Sequence, residues 1–186
     1  MTRIVSKIRR EIATSQIGLV PEKGTRIAIF TLPMLMERAV EVNDVYLCFV
    51  DYSKAFDKVK QSESFKILDQ LNIDGKDLRI LRNLSREQVA VIRIDGEFTD
   101  FTEIKRGVRQ GCVLSPDLFN LYSEVILRNI IDMEGVKVGG RSITSLRYVD
   151  ETVLIANSQE NLQALLSVGT YESESMGLQL NARKTE

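Results

Sequence analysis

The sequence predicts an α+β domain with a mainly antiparallel sheet flanked by helices. Three observations carry that expectation: strand-like apolar runs lie close together along the chain, glycine turn signals stand at Asp95-Gly96 and Gly139-Gly140, and helical stretches alternate with hairpins. A chain of 186 residues suits one domain. A domain of that size buries roughly 70% of its unfolded surface, enough for a substantial core.

Ile4, Ile8 and Ile12 recur at helical spacing among basic residues, predicting a short amphipathic helix with a solvated basic face. QIGLVPEKGT follows as a loop by its Pro and Gly. Residues 25–42 are helical in pattern, and Pro33 inside them should kink or split the helix. VYLCFV, at 45–50, is continuously apolar and rich in β-formers, which predicts a buried central strand ending at Asp51. Helices are expected over 64–71, stopped by NIDG, and over 76–84.

VAVIRI and EFTDFTEI flank Asp95-Gly96, the pair best suited to a tight hairpin turn. Ser115-Pro116 reads as an N-cap with a first-turn proline, opening a helix over 117–131. KVGGRSI turns back at Gly139-Gly140. LRYVDETVLIA, at 146–156, supplies two strands meeting at Asp150-Glu151, an acid pair without the glycine that such a turn favours. Ser158 caps a last helix that Gly177 ends, and LQLNARKTE closes the sequence.

Charge and composition exclude several functions. Lysine plus arginine number 25 against 26 acids, so only a local basic patch could hold nucleic acid. There is no histidine, which removes imidazole-based catalysis and zinc sites that need it. Cys48 and Cys112 form no C-x-x-C pair. MTRIVSKIRREIA lacks the apolar core of a signal peptide and no window reaches the length of a membrane span, so an intracellular setting, nucleus or cytoplasm, is expected.

If the strand ending at Asp51 lies beside the one near Asp150, their carboxylates converge. At ~4 Å, two such charges repel by about 4 kcal/mol at an effective dielectric near 20. With no histidine and few lysines beside these acids in sequence, a hard divalent cation is the expected counterion.

VDYSKAF, RQGCVLSP, YVDE and LNARKTE, in this order and at these distances, resemble motifs A, B, C and D of reverse transcriptases of non-LTR, LINE-like retrotransposons. The resemblance implies a right-hand polymerase palm with a ferredoxin-like core over 45–186. It assigns 1–44 to partial fingers and the fingers–palm connection. A thumb and an endonuclease fall outside the chain, so segments supplied from elsewhere are expected to complete it. The implied activity is RNA-directed DNA polymerisation: dNTP addition to a DNA primer 3′-hydroxyl on an RNA template, with two Mg²⁺ ions and Mn²⁺ as a substitute.

By the same resemblance Asp51 and Asp150 hold metal with the Tyr52 carbonyl, Glu151 is the second acid of motif C, and Phe56 is the steric gate against a 2′-hydroxyl. Arg109, Gln110 and Gly111 line the nucleotide pocket, with close backbone approach at the glycine; Lys184 protonates pyrophosphate; Tyr148 and Val149 pack beneath the primer end.

YVDE departs from the usual YADD at Val149 and Glu151. Misplacing a catalytic carboxylate by about 1 Å costs ~10²-fold in rate. Leu19 and Val20 likewise replace the aromatic and basic residues of a Q-x-G-F-R pattern. The alternative function is therefore a catalytically inactive remnant, at most an RNA-binding or protein-interaction domain.

Overall fold

The computed structural model describes residues 2–40, 44–71, 73–85, 88–109 and 111–186. Helix α1 (Thr2–Glu11) buries Ile4 and Ile8, as the isoleucine spacing predicts. Its basic face is not merely solvated: Arg9 Nε donates to Asp117 Oδ1 at 2.7 Å, where the carboxylate is almost fully buried. A loop leads to α2 (Thr25–Val40), which continues through Pro33 without splitting.

Strand β1 (Tyr46–Val50) is followed by a single turn, α3 (Ala55–Lys58), and by α4 (Gln61–Gln70) and α5 (Gly75–Ser85). Two short ladders come next: β2 (Val89–Ala90) with β5 (Thr102–Glu103), and inside them β3 (Arg93–Ile94) with β4 (Glu97–Phe98). Asp95 at φ 50° and Gly96 at φ 95° make the expected turn, both with the positive φ that a tight hairpin demands.

Helix α6 (Ser115–Ile131) starts two residues before the expected stretch. Ser115 is not its N-cap: Leu114 holds that position, and Ser115 Oγ donates to the Arg109 carbonyl at 2.6 Å, which ties the helix to the preceding loop. Strands β6 (Val136–Val138) and β7 (Arg141–Ile143) turn at Gly139-Gly140 as expected. Then come β8 (Ser145–Tyr148), β9 (Glu151–Ala156) and α7 (Gln159–Ser175). Ser158 Oγ accepts from the Asn161 N–H at 3.1 Å, and Gly177 follows the helix at φ 90°.

The main sheet has the order β1-β9-β8, all antiparallel, so β9 is central and β1 is not. Strand order is set by distant pairing, which an apolar run cannot report. The second edge of β1 is nevertheless covered, because the C-terminal tail runs along it: Phe49 exchanges both backbone hydrogen bonds with Glu186, and Tyr52 bridges Leu180.

Alternation along β1 divides the residues between two layers. Cys48, Val50 and Tyr52 face the main core, with Leu154, Phe119, Tyr122, Leu165 and others from α6 and α7. A smaller core on the opposite face joins Leu47, Val153 and Ile155 to Leu32 and Leu35 of α2. Among the described residues no helix is long and apolar enough to cross a membrane.

Burial pushes the Cys48 thiol and the Tyr52 and Tyr122 phenols above their ordinary pKa values, desolvation outweighing the Tyr52–Ser173 hydrogen bond. These groups are neutral when protonated, so a raised folded pKa stabilises the fold fully below the unfolded values and less as pH climbs past them. Urea unfolding is expected to show stability falling from about pH 9 to 10 upward. Replacing Tyr52 with Phe should flatten that fall, and an unchanged slope would contradict the assignment.

Candidate active site

The register of β1 on β9 carries the site. Val50 pairs with Thr152, so continuing the ladder one step sets Asp51 opposite Glu151, with Asp150 in the adjoining turn. The turn itself lies one residue earlier than the sequence suggested. Tyr148 pairs with Glu151, making Val149 and Asp150 the two central residues and Glu151 the first residue of β9.

Val149 has φ 60°. A β-branched residue there is a backbone outlier costing about 1–3 kcal/mol, held only where the surroundings over-determine it. Gln16, fully buried, supplies much of that hold: its Oε1 accepts from the N–H groups of Val149 (3.3 Å) and Gly18 (3.1 Å), and its Nε2 donates to the Val149 carbonyl (3.4 Å). Gly18 packs so closely that a Cβ there would collide with the Val149 nitrogen and lie 2.5 Å from its Cγ2. In the sequence Gln16 and Gly18 stand as the first and third residues of the Q-x-G-F-R pattern, which by itself signals no contact with a turn 133 positions away.

Beneath the turn, Arg147 is fully buried and donates to Glu124 Oε2 at 2.7 Å and to Ser15 Oγ at 3.0 Å. Glu124 Oε2 also accepts from the Ala13 N–H at 3.0 Å, so one buried ion pair joins the loop after α1, the middle of α6 and β8.

Asp51 is half-buried, and two groups of the C-terminal tail reach its Oδ2: Asn181 Nδ2 at 3.2 Å and Lys184 Nζ at 3.6 Å. A lysine 133 positions away in sequence thus lies beside the acid. Lys184 is 68% exposed, and such a surface pair contributes only about 0–1 kcal/mol. Asp51, Glu151 and Lys184 line one cavity of about 630 Å³ between the sheet and α2, with Thr25, Ile29 and Phe49.

The Tyr52 side chain points the other way, its hydroxyl 2.9 Å from Ser173 Oγ in the core. Its backbone is better placed. The Asp51 carbonyl and the Ser53 N–H are both bonded to the tail. Alternation along an extended chain therefore turns the Tyr52 carbonyl to the opposite edge, where β9 begins.

Other expected residues stand apart from that cavity. Phe56 stacks on Phe119, with ring centroids 4.3 Å apart, and packs against the main core. Arg109 and Gly111 border a second, apolar cavity of about 420 Å³ with Phe65, Leu81 and Leu118. Gly111 has φ 79°, a conformation that favours glycine, and a Cβ there would meet no atom of the chain within 4 Å. Gln110 lies outside the described residues.

The reverse transcriptase (RNA-dependent DNA polymerase) family matches residues 1–186. The chain belongs to this family. It is 33% identical over 158 residues to the Pol polyprotein of the R2 retrotransposable element of Nasonia vitripennis, covering 81% of this chain and 15% of that protein. It is 31% identical over 184 residues to the R2DM polyprotein of Drosophila melanogaster, covering 98% of this chain and 17% of that one. The expected kinship with non-LTR retrotransposon reverse transcriptases therefore holds, over a small part of those relatives' length.

In fold, the chain matches telomerase from Candida tropicalis in complex with a telomeric RNA fragment, with a TM-score of 0.77 at 12% identity over 100% of this chain and 32% of that one. Telomerase from Candida albicans gives 0.75 at 14% identity, over 99% and 33%. The α+β palm architecture expected from the motifs is thus the one observed.

Of the residues expected to hold metal, Asp51 lines the cavity under α2, whereas Asp150 and Tyr52 are not among its lining residues. Carboxylate and carbonyl groups offer oxygen alone, the donor that Mg²⁺ takes, usually one or two protein carboxylates with water and phosphate completing the shell. Among the described residues there is no group of three or more His, Cys, Asp or Glu side chains that could hold a metal ion.

Proposed function

We propose that this chain is the catalytic palm of an RNA-directed DNA polymerase, extending a DNA primer with dNTPs on an RNA template. The observation that carries the reading is the β1–β9 register, which brings the end of motif A beside the motif C turn within a reverse transcriptase family member. In this reading residues 45–186 are the palm and 1–44 the connection to the fingers.

Asp51 and Asp150, with the Tyr52 carbonyl, would hold two Mg²⁺ ions, or Mn²⁺ in their place. When bound, the ions supply Lewis acidity that lowers the pKa of the primer hydroxyl and neutralises charge on the triphosphate. The remaining work belongs to the chain. Asp51 is oriented for it by Asn181, whose amide donates to Oδ2. Lys184 reaches the same cavity and can deliver a proton to departing pyrophosphate from its ammonium. Glu151 adds negative charge at the start of β9, on the face shared with Asp51.

Phe56 is proposed as the steric gate, its ring braced by Phe119 so that it resists displacement by a 2′-hydroxyl. Arg109, Gln110 and Gly111 are proposed to contact the nucleotide. Their separation from the Asp51 cavity means that substrate binding would have to bridge the two.

The test is primer extension by the purified, folded chain on RNA and DNA templates with Mg²⁺, Mn²⁺ or chelator. RNA-dependent, metal-dependent extension is expected. A folded chain that extends nothing under either metal would remove the activity and leave the family membership.

A further inference from the structure

The side chain of Gln16 is fully buried in the loop between α1 and α2, yet it spends both ends of its amide on one residue of a hairpin turn 133 positions away. Its Oε1 accepts from the Val149 N–H and its Nε2 donates to the Val149 carbonyl, at 3.3 and 3.4 Å. These are the backbone groups on either side of the residue at φ 60°. The side chain therefore satisfies the two peptide groups flanking Val149, which a two-residue turn without glycine leaves badly matched.

The clamp is itself held at several points. Ile17 N–H donates to the Arg147 carbonyl at 2.8 Å and Arg147 N–H to the Ser15 carbonyl at 2.9 Å, joining the Gln16 segment to β8 like an added parallel strand. Gly18 N–H fills the second acceptor site of Oε1, and Asn120 Nδ2 from α6 donates to the Gly18 carbonyl at 3.0 Å. Gln16 has little freedom to move without moving α6 or β8.

We propose that Gln16 is a positioning residue for the motif C acids: by fixing the Val149 peptide it sets where Asp150, the next residue, presents its carboxylate. The role rests on the polymerase reading above. It touches neither substrate nor metal. A glutamine serving only to fill a loop would stabilise the chain without altering the geometry at Asp150, and the two roles separate experimentally.

In the full chain, Gln16→Met keeps length and removes both hydrogen-bonding ends; Gln16→Glu keeps the acceptor for Val149 and Gly18 but loses the donor. Amide hydrogen exchange at Val149 is expected to quicken by about tenfold or more in Gln16→Met. Exchange at Ile155, at the far end of β9, whose N–H donates to the Thr144 carbonyl, should stay as in the parent. In primer extension kcat should fall on the order of 10- to 10²-fold with KM for dNTP changed by less than about threefold, because misplacement acts on the chemical step. Gln16→Glu should lie between the two and carries the test if Gln16→Met does not fold.

Equal exchange at Val149, or an unchanged kcat in an active parent, overturns the positioning role and leaves the polymerase reading standing. A parent that extends no primer while its Val149 amide still responds overturns the polymerase reading, and the positioning role of Gln16 in that reaction with it.

Discussion

Arg147→Ala is expected to destabilise the fold by about 3–5 kcal/mol, the range for removing one partner of a buried ion pair. Both members of the Arg147–Glu124 pair are almost wholly excluded from solvent, at 0% and 3% side-chain exposure. Truncating the arginine removes the charge paired with the Glu124 carboxylate and leaves it the hydrogen bond from the Ala13 N–H. The cost thus comes from a stranded charge more than from a lost attraction. Arg147 Nε and Nη1 have no hydrogen-bond partner among the described residues, so the pair is itself an imperfect bargain. A double variant, Arg147→Met with Glu124→Gln, keeps an acceptor for Ala13 and removes both charges. It should be less destabilised than the two single changes summed, by about 0.5–3 kcal/mol of coupling in urea unfolding. Simple additivity would show that the ion pair does not work as a unit.

The second large effect is on activity. Asp51→Asn and Asp150→Asn should each lower primer extension by at least about 10²–10³-fold, the scale on which preorganised charge at a reacting centre counts. Folding should survive both changes. Asp51 is half-buried beside a solvent-exposed lysine, and Asn retains an oxygen that can accept from Asn181. Lys184→Ala should cost less, because its ammonium is mostly exposed. Loss of extension together with loss of cooperative unfolding would reassign the acids to structure.

Features governed by neighbouring residues were legible in the sequence. The Asp95-Gly96 and Gly139-Gly140 turns, the Ser158 cap and the Gly177 stop all follow from backbone chemistry within a few positions. What distant contacts decide was not. Strand β1 looked central because its run is continuously apolar, yet its second edge receives the C-terminal tail instead of a strand. The missing glycine in the YVDE turn signals strain in the sequence, but not at the acid pair. The strain lies at Val149, where Gln16 and Gly18 hold a conformation that local preference disfavours.

The same division runs through the site. The resemblance to motifs A, C and D singled out Asp51, Asp150 and Lys184, and the structure brings Lys184 to Asp51 across 133 positions of chain. Arg9, read as a solvated base, instead anchors α1 to Asp117 of α6. Burial of its partner, which the sequence does not display, makes the difference.

The central claim is that Asp51 and Asp150 share divalent cations. Crystals of the chain grown with Mn²⁺ and a non-reactive dNTP analogue, with data collected for manganese anomalous scattering, test it most directly. The account predicts a peak within about 2 Å of a carboxylate oxygen from each of the two aspartates. A metal seated elsewhere, or the two carboxylates held on opposite faces of the sheet with nucleotide bound, would contradict it.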